Sequence, residues 1–177
     1  MRRLREANHL PYVVDQTAAD DHSRLVLVAI AGLNLRMMEN WRTTQLKDWA
    51  YSLDYESTMI TLAIIVIRSQ RAMRTPPDLR LHDLKNKIPE ELSTKCNVSS
   101  IAAATGINRE TVRRKVRRLQ ALGLVAQHDD GGVMIPIEAL GSENMSELLR
   151  SQLDALRVTF DQLTRSGILR HSRGSTV

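Results

Sequence analysis

Residues 98–123, VSSIAAATGINRETVRRKVRRLQALG, constrain this chain more than any other segment. Two short helical patterns are separated by a tight turn. Ile101, Ala102 and Thr105 share one face of the first, and Val112, Val116 and Leu119 share one face of the second. Between them, Gly106 suits a turn position with positive φ, Ile107 supplies an apolar plug, and Asn108 is a preferred cap for a helix beginning at Arg109. Ala102 is small where two helices have to approach closely, and Gly123 stands where a helix ends on a left-handed residue.

The same segment holds the charge. The 177-residue chain carries 25 Lys+Arg against 20 Asp+Glu, a net charge of +5. The decapeptide RETVRRKVRR, residues 109–118, contains six basic residues and one acidic one, so the remaining 167 residues sum to zero. At 100° per residue, Glu110, Arg113, Arg114 and Arg117 fan across the side opposite Val112, Val116 and Leu119, with Lys115 and Arg118 flanking. An apolar back and an arginine front suit a helix that docks on a core and enters a DNA groove. A guanidinium offers a planar fork to guanine or phosphate that an ammonium cannot mimic.

These residues resemble the helix-turn-helix of bacterial transcription regulators. Residues 124–136, LVAQHDDGGVMIP, extend the likeness: two strand-like stretches flank Asp-Asp-Gly-Gly, a good hairpin turn, as in winged-helix proteins. The close resemblance spans residues 93–137. It implies a mainly α fold with a central winged helix-turn-helix, a short first strand at residues 95–98 and a first helix from Glu56. It also implies that the N-terminal part of the recognition helix, residues 109–122, reads bases through Asn108, Arg109, Glu110, Thr111, Arg113 and Arg114. Lys115, Arg117 and Arg118 would hold phosphates, as would the hydroxyls and amides of Ser99 and Ser100 at a helix N-terminus. Glu110 could instead pair with Arg113 or Arg114 within the helix. The hairpin tip departs from the family pattern: it reads His128-Asp129-Asp130, and two carboxylates there would repel phosphate, leaving His128 as a weak contact.

The flanks read as helical, giving three expected regions: an N-terminal helical region (1–54), the DNA-binding domain (55–137), and a C-terminal helix with a disordered tail from Arg170 (138–177). A strand-like stretch at residues 10–14 precedes a helix from Ala19 that is apolar on both sides. Trp41 to Tyr55 suggest a second helix. A third, at about 56–73, has Met59, Leu62, Ala63, Val66 and Ile67 as its core stripe and Arg68, Arg71 and Arg74 at its cationic end. Thr75-Pro76-Pro77 stops it, and a polar connector follows. Asn144 would cap the last helix, where Leu149, Leu153, Leu156, Phe160 and Leu163 form a seam of about two heptads. A homodimer is expected, with that seam and the apolar helices at 25–37 and 59–67 as its interface, because two recognition helices match a palindromic operator.

Other classes find little support. The single Cys96 excludes an internal disulfide framework and a multi-cysteine zinc site, and at a strand position it reads as a buried structural thiol before a redox switch. His9, His22, His82, His128 and His171 lack metal-ligand spacing, and no glycine-rich phosphate loop, nucleophile elbow or zincin motif occurs, so neither an enzyme nor a cofactor is expected. Trp41 and Trp49 could line an effector pocket but suit a core better. No apolar run approaches the roughly 20 residues of a membrane helix and no secretory signal leads the chain, so a cytoplasmic protein is expected, with double-stranded DNA as partner. A protein-interaction scaffold and a non-specific nucleoid or RNA-binding protein remain open alternatives.

Overall fold

The computed structural model describes residues 12–43, 53–74 and 86–172, and there the chain is mainly helical with two small antiparallel sheets. In order, the elements are β1 (Tyr12–Val14), α1 (Gln16–Asp21), α2 (Ser23–Thr43), α3 (Tyr55–Arg74), a 3-10 turn (Glu90–Leu92), α4 (Val98–Thr105), α5 (Arg109–Ala121), β2 (Ala126–Gln127), β3 (Val133–Met134), α6 (Ile137–Leu140), α7 (Glu143–Arg165) and β4 (Leu169–His171). They fall into two compact units, Asn40–Leu149 and a second made from Met1–Glu39 together with Arg150–Val177. The N- and C-terminal regions, expected as separate flanks, therefore combine. None of the described helices is long and apolar enough to cross a membrane.

The Asn40–Leu149 unit is built on α3. Asp54 caps this helix, its carboxylate accepting the Ser57 amide at 2.9 Å. The buried face of α3 is rotated from the expected stripe: Ile60, Ala63 and Ile64 face the core with Ser57, Thr58 and Thr61, while Val66 is 60% exposed. Hydroxyls make this possible. Thr61 Oγ1 donates to the Ser57 carbonyl at 2.9 Å, so a polar residue enters the core without an unmet donor. Around Ile60 and Ile64 gather Cys96, Ile101, Val112, Val116, Leu119, Leu124, Val125, Val133 and Ile135. The helix at 59–67 thus supplies this core, where a dimer interface was expected.

Between α4 and α5 the local chemistry follows the sequence. Asn97 accepts the Ser99 and Ser100 amides at 2.9 and 3.0 Å while the Ser100 hydroxyl accepts the Asn97 amide, a reciprocal capping box. Gly106 ends α4 at φ 71°, and Asn108 starts α5 by accepting the Glu110 amide at 2.9 Å. At the far end Gly123 (φ 72°) makes a Schellman turn: its amide donates to the Gln120 carbonyl and that of Leu124 to the Leu119 carbonyl, both at 2.9 Å. Leu119 and Leu124 are buried beside it.

Strands β2 and β3 pair with Ala126 opposite Met134 and Gln127 opposite Val133. Their loop is a turn closed by the Gly131 amide on the His128 carbonyl (2.9 Å), with Gly131 left-handed at φ 75°. Residues 95–98 do not form the expected full strand, since α4 already begins at Val98, but the Cys96 carbonyl accepts the Val133 amide at 2.8 Å. Cys96 passes so close that a Cβ on Gly132 would lie 2.5 Å from its carbonyl oxygen.

In the other unit, β1 pairs antiparallel with β4, Tyr12 opposite His171. Arg170 and His171, expected in a disordered tail, are thus strand residues, and Arg170 pairs with Asp15 at 3.0 Å. The expected single helix from Ala19 is two helices broken at His22. Gln152 Nε2 donates to the Met37 carbonyl at 3.0 Å and Arg36 Nη2 to Thr159 Oγ1 at 2.9 Å, joining α2 to α7. Ser142 takes the capping role expected of Asn144, its hydroxyl accepting the Met145 amide at 3.2 Å, because α7 starts two residues earlier than that cap implies, at Glu143.

Candidate nucleic-acid interface

Helix α5 buries Val112, Val116 and Leu119 and turns arginines outward. Arg109, Arg113, Arg114, Arg117 and Arg118 are all exposed, with Glu110 the one acid among them. Glu110 pairs with Arg113 one turn on, the intrahelical bond that the sequence left open, and Arg109 donates to the Ser99 hydroxyl. Among the described residues, Arg114, Arg117 and Arg118 have no side-chain hydrogen bond or ion pair. Asn108 is exposed but spends its side chain on the α5 cap, and Thr111 is half-buried.

Lys115 departs from its expected role. It is 8% exposed and its ammonium binds Asp54 and, at 3.4 Å, Glu56, both at the N-terminus of α3. A cation held by two carboxylates under its own helix does not reach a phosphate. Partial burial works to raise the pKa of Asp54, but hydrogen bonds from Lys115 and the Ser57 amide outweigh it and bring it down to about 2. What α5 presents to solvent is therefore arginine alone among its cations.

The N-terminus of α4 is also partly spent. The Ser99 and Ser100 amides are taken by Asn97 and the Ser100 hydroxyl closes the capping box, which leaves the Ser99 hydroxyl at the surface with Arg109. The anion site expected from these amides is reduced to one hydroxyl.

The hairpin tip differs from its sequence reading as well. Asp130 turns inward: its Oδ2 accepts Arg68 Nη1 and its Oδ1 accepts the Gly132 amide, each at 2.7 Å. Burial alone would raise its pKa, yet the Gly132 amide and the Arg68 guanidinium hold it below the usual carboxylate range. Arg68, expected among the cations at the C-terminal end of its helix, is 9% exposed and paired with Asp130 across the fold. His128 is tucked against the same group, its Nδ1 accepting the Asp130 amide at 3.2 Å, and only Asp129 of the tip's two acids points outward. One further cation arrives from outside the hairpin. Exposed Lys95 carries its Nζ to 3.5 Å from where a Cβ on Gly131 would sit, so the tip has a lysine that its own sequence lacks.

Cys96 is fully buried and burial pushes its thiol up, which fits the structural reading. Trp41 is half-buried near the end of α2, and Trp49 lies outside the described residues. A pocket of about 330 Å³ is lined by residues of α3, the segment at 86–93, the hairpin and α6, among them Met73, Ile88 and Leu140. None of its lining comes from α4 or α5, so it is separate from the arginine face. No group of three or more potential metal ligands occurs among the described residues. Comparison of the chain with protein-family models, curated proteins and solved structures finds no match.

Proposed function

We propose that this chain is a sequence-specific DNA-binding transcription regulator whose Asn40–Leu149 unit is a winged helix-turn-helix, with α5 as the recognition helix. The observation that carries this reading is the sorting of charge on α5: five exposed arginines on one helix whose sole lysine is turned inward. A merely solvated helix gains nothing from hiding its lysine while leaving arginines without carboxylate partners, whereas a guanidinium face gains bidentate contacts to guanine and phosphate. Supporting it are the left-handed Gly106 between α4 and α5, which sets a three-residue turn, and the β2–β3 hairpin that follows α5 directly. In this reading Arg114, Arg113 and Arg109 face bases, while Arg117, Arg118, Lys95 and the Ser99 hydroxyl take phosphates.

The test is selection of bound duplexes from a random pool, followed by anisotropy titration of the best sequence against random duplex. Preference of at least about 10³ is expected. Equal affinity for all duplexes would replace the regulator by a non-specific nucleic-acid binder. No binding even at low salt would leave a scaffold whose basic helix docks an acidic protein.

A further inference from the structure

The cavity of about 330 Å³ between α3, the segment at 86–93, the hairpin and α6 lies wholly within the Asn40–Leu149 unit, and the arginine face of α5 makes no use of it. Its volume falls within the roughly 300–1,000 Å³ range of small-molecule sites. A cavity of about 150 Å³ admits benzene, so this one has room for on the order of ten heavy atoms. Eight of the described residues in its wall are Ile, Leu or Met, so the body of an occupant is apolar. No Phe, Tyr or Trp is among the described residues of the wall. Branched and thioether side chains without such a ring to stack on suit an aliphatic chain better than a flat aromatic one.

The charges on the wall are one-sided. Arg68 and Lys87 line it, and among the described residues no Asp or Glu does; Glu90 and Glu91, on the same segment as Lys87, are exposed and outside the wall. Arg68 is nearly buried, and among the described residues its guanidinium has one partner, Asp130, reached through Nη1. A guanidinium carries several donors in a planar fork, so a buried one with a single carboxylate has donors left to satisfy. Lys87 is exposed and has no ion pair among the described residues. Two positive charges against the one carboxylate of Asp130 leave a single negative charge to be supplied, which fits a monoanion better than a doubly charged phosphate. We propose that this cavity binds a medium-length aliphatic monocarboxylate, its carboxylate held by Arg68 and Lys87 and its chain lying against Ile65, Ile88, Met134 and Leu140. The guanidinium can hold Asp130 on one edge and the ligand on another. This site goes beyond the DNA reading and does not rest on it.

Titration calorimetry of the full chain with octanoate, octanamide and acetate tests this directly. Octanoate should bind saturably, one per chain, at least about tenfold more tightly than octanamide, which keeps the chain and loses the charge. Acetate, which keeps the charge and loses the chain, should not saturate. No saturable binding of octanoate at millimolar concentration, or equal affinity for octanoate and octanamide, would overturn the proposal. Leu140→Trp, which puts an indole into the cavity, should abolish binding with the helical circular dichroism retained. Lys87→Gln should weaken octanoate severalfold and leave octanamide unchanged, and Arg68→Gln should erase the preference between the two. Should Arg68→Gln or Leu140→Trp fail to fold, Lys87→Gln decides, since an exposed side chain can change without disturbing the core. Octanoate affinity unchanged in Lys87→Gln, or in folded Leu140→Trp, would put the ligand elsewhere on the chain and overturn the site. The outcome is separable from the DNA reading: a chain that binds octanoate and ignores DNA, or the reverse, removes one conclusion and keeps the other.

Discussion

Lys115 reaches inward from α5 to Asp54, the residue that caps α3, and so fastens the arginine-bearing helix to the first turn of the longest helix in its unit. Lys115→Ala is expected to lower stability by ~1 kcal/mol, since Asp54 is half exposed and the pair is partly screened. Asp54→Ala, which also loses the cap, should cost ~1–2 kcal/mol. Asp54 has a pKa of about 2 in the folded chain against an ordinary 3.8, so its contribution is complete above about pH 4 and lost as pH falls through 2. Denaturant melts between pH 2 and 6 would show the loss, and Asp54→Asn should flatten the acid limb. For DNA, Lys115→Ala should leave the salt dependence of binding unchanged. A slope reduced by about one would restore the phosphate role.

At the hairpin tip the two adjacent aspartates should separate cleanly. Asp130→Asn strands the nearly buried Arg68 and is expected to cost ~1–3 kcal/mol. Asp129→Asn removes only an exposed charge, so stability should stay within about 0.5 kcal/mol while affinity for duplex DNA rises severalfold at low salt. Lys95→Ala should weaken all duplexes alike and lower the salt slope by about one. Thermal melts and anisotropy titrations at several salt concentrations measure all three.

Along α5 itself, Arg114→Ala and Arg117→Ala should differ in kind. The first is expected to relax base preference at one position, at ~1–3 kcal/mol, and the second to weaken every duplex equally. Affinities for a panel of single-base operator variants decide it. Superimposable panels for the two variants would end the division of roles.

Two glycines are needed for opposite reasons. Gly106 has open space around its Cβ position but φ of 71°, so Gly106→Ala should cost ~1–2 kcal/mol and Gly106→Asn less, because asparagine tolerates that conformation. Gly132 has an ordinary φ but no room against the Cys96 carbonyl oxygen, so Gly132→Ala should cost about 2–3 kcal/mol and Gly132→Asn no less. Calorimetric melts of the four variants would expose a reversed order.

Legibility in the sequence followed the range of the interaction. The cap at Asn108, the left-handed Gly106 and Gly123, and the hairpin turn are decided within a few residues and read almost directly, whereas the Asn97 cap, equally local, falls in the stretch read as a strand. Arg68 meets Asp130 across 62 positions, and Lys115 meets Asp54 across 61, so neither partner is visible from its own helix. The helical wheel did set Lys115 only roughly 60° from Val112, close enough to the apolar face for burial once acids lay beneath it. On α7, periodicity indicated the helix, but its apolar stripe of Leu153, Leu156 and Phe160 is exposed while Gln152, Ala155 and Thr159 are buried, and spacing alone does not say which face is covered. The Thr61 hydroxyl misdirected the α3 stripe in the same way, because a hydroxyl satisfied by its own helix packs as a small apolar group.

Hiding Lys115 has a chemical consequence for regulation. Lysine is the residue that acetylating enzymes neutralise, and the only one on α5 lies beneath the helix, held by Asp54 and Glu56. Arginine neither accepts that modification nor gives up its proton at any pH where proteins fold. The cationic face of α5 therefore offers a lysine-modifying enzyme no foothold, whereas Lys95 beside the hairpin tip is exposed to one.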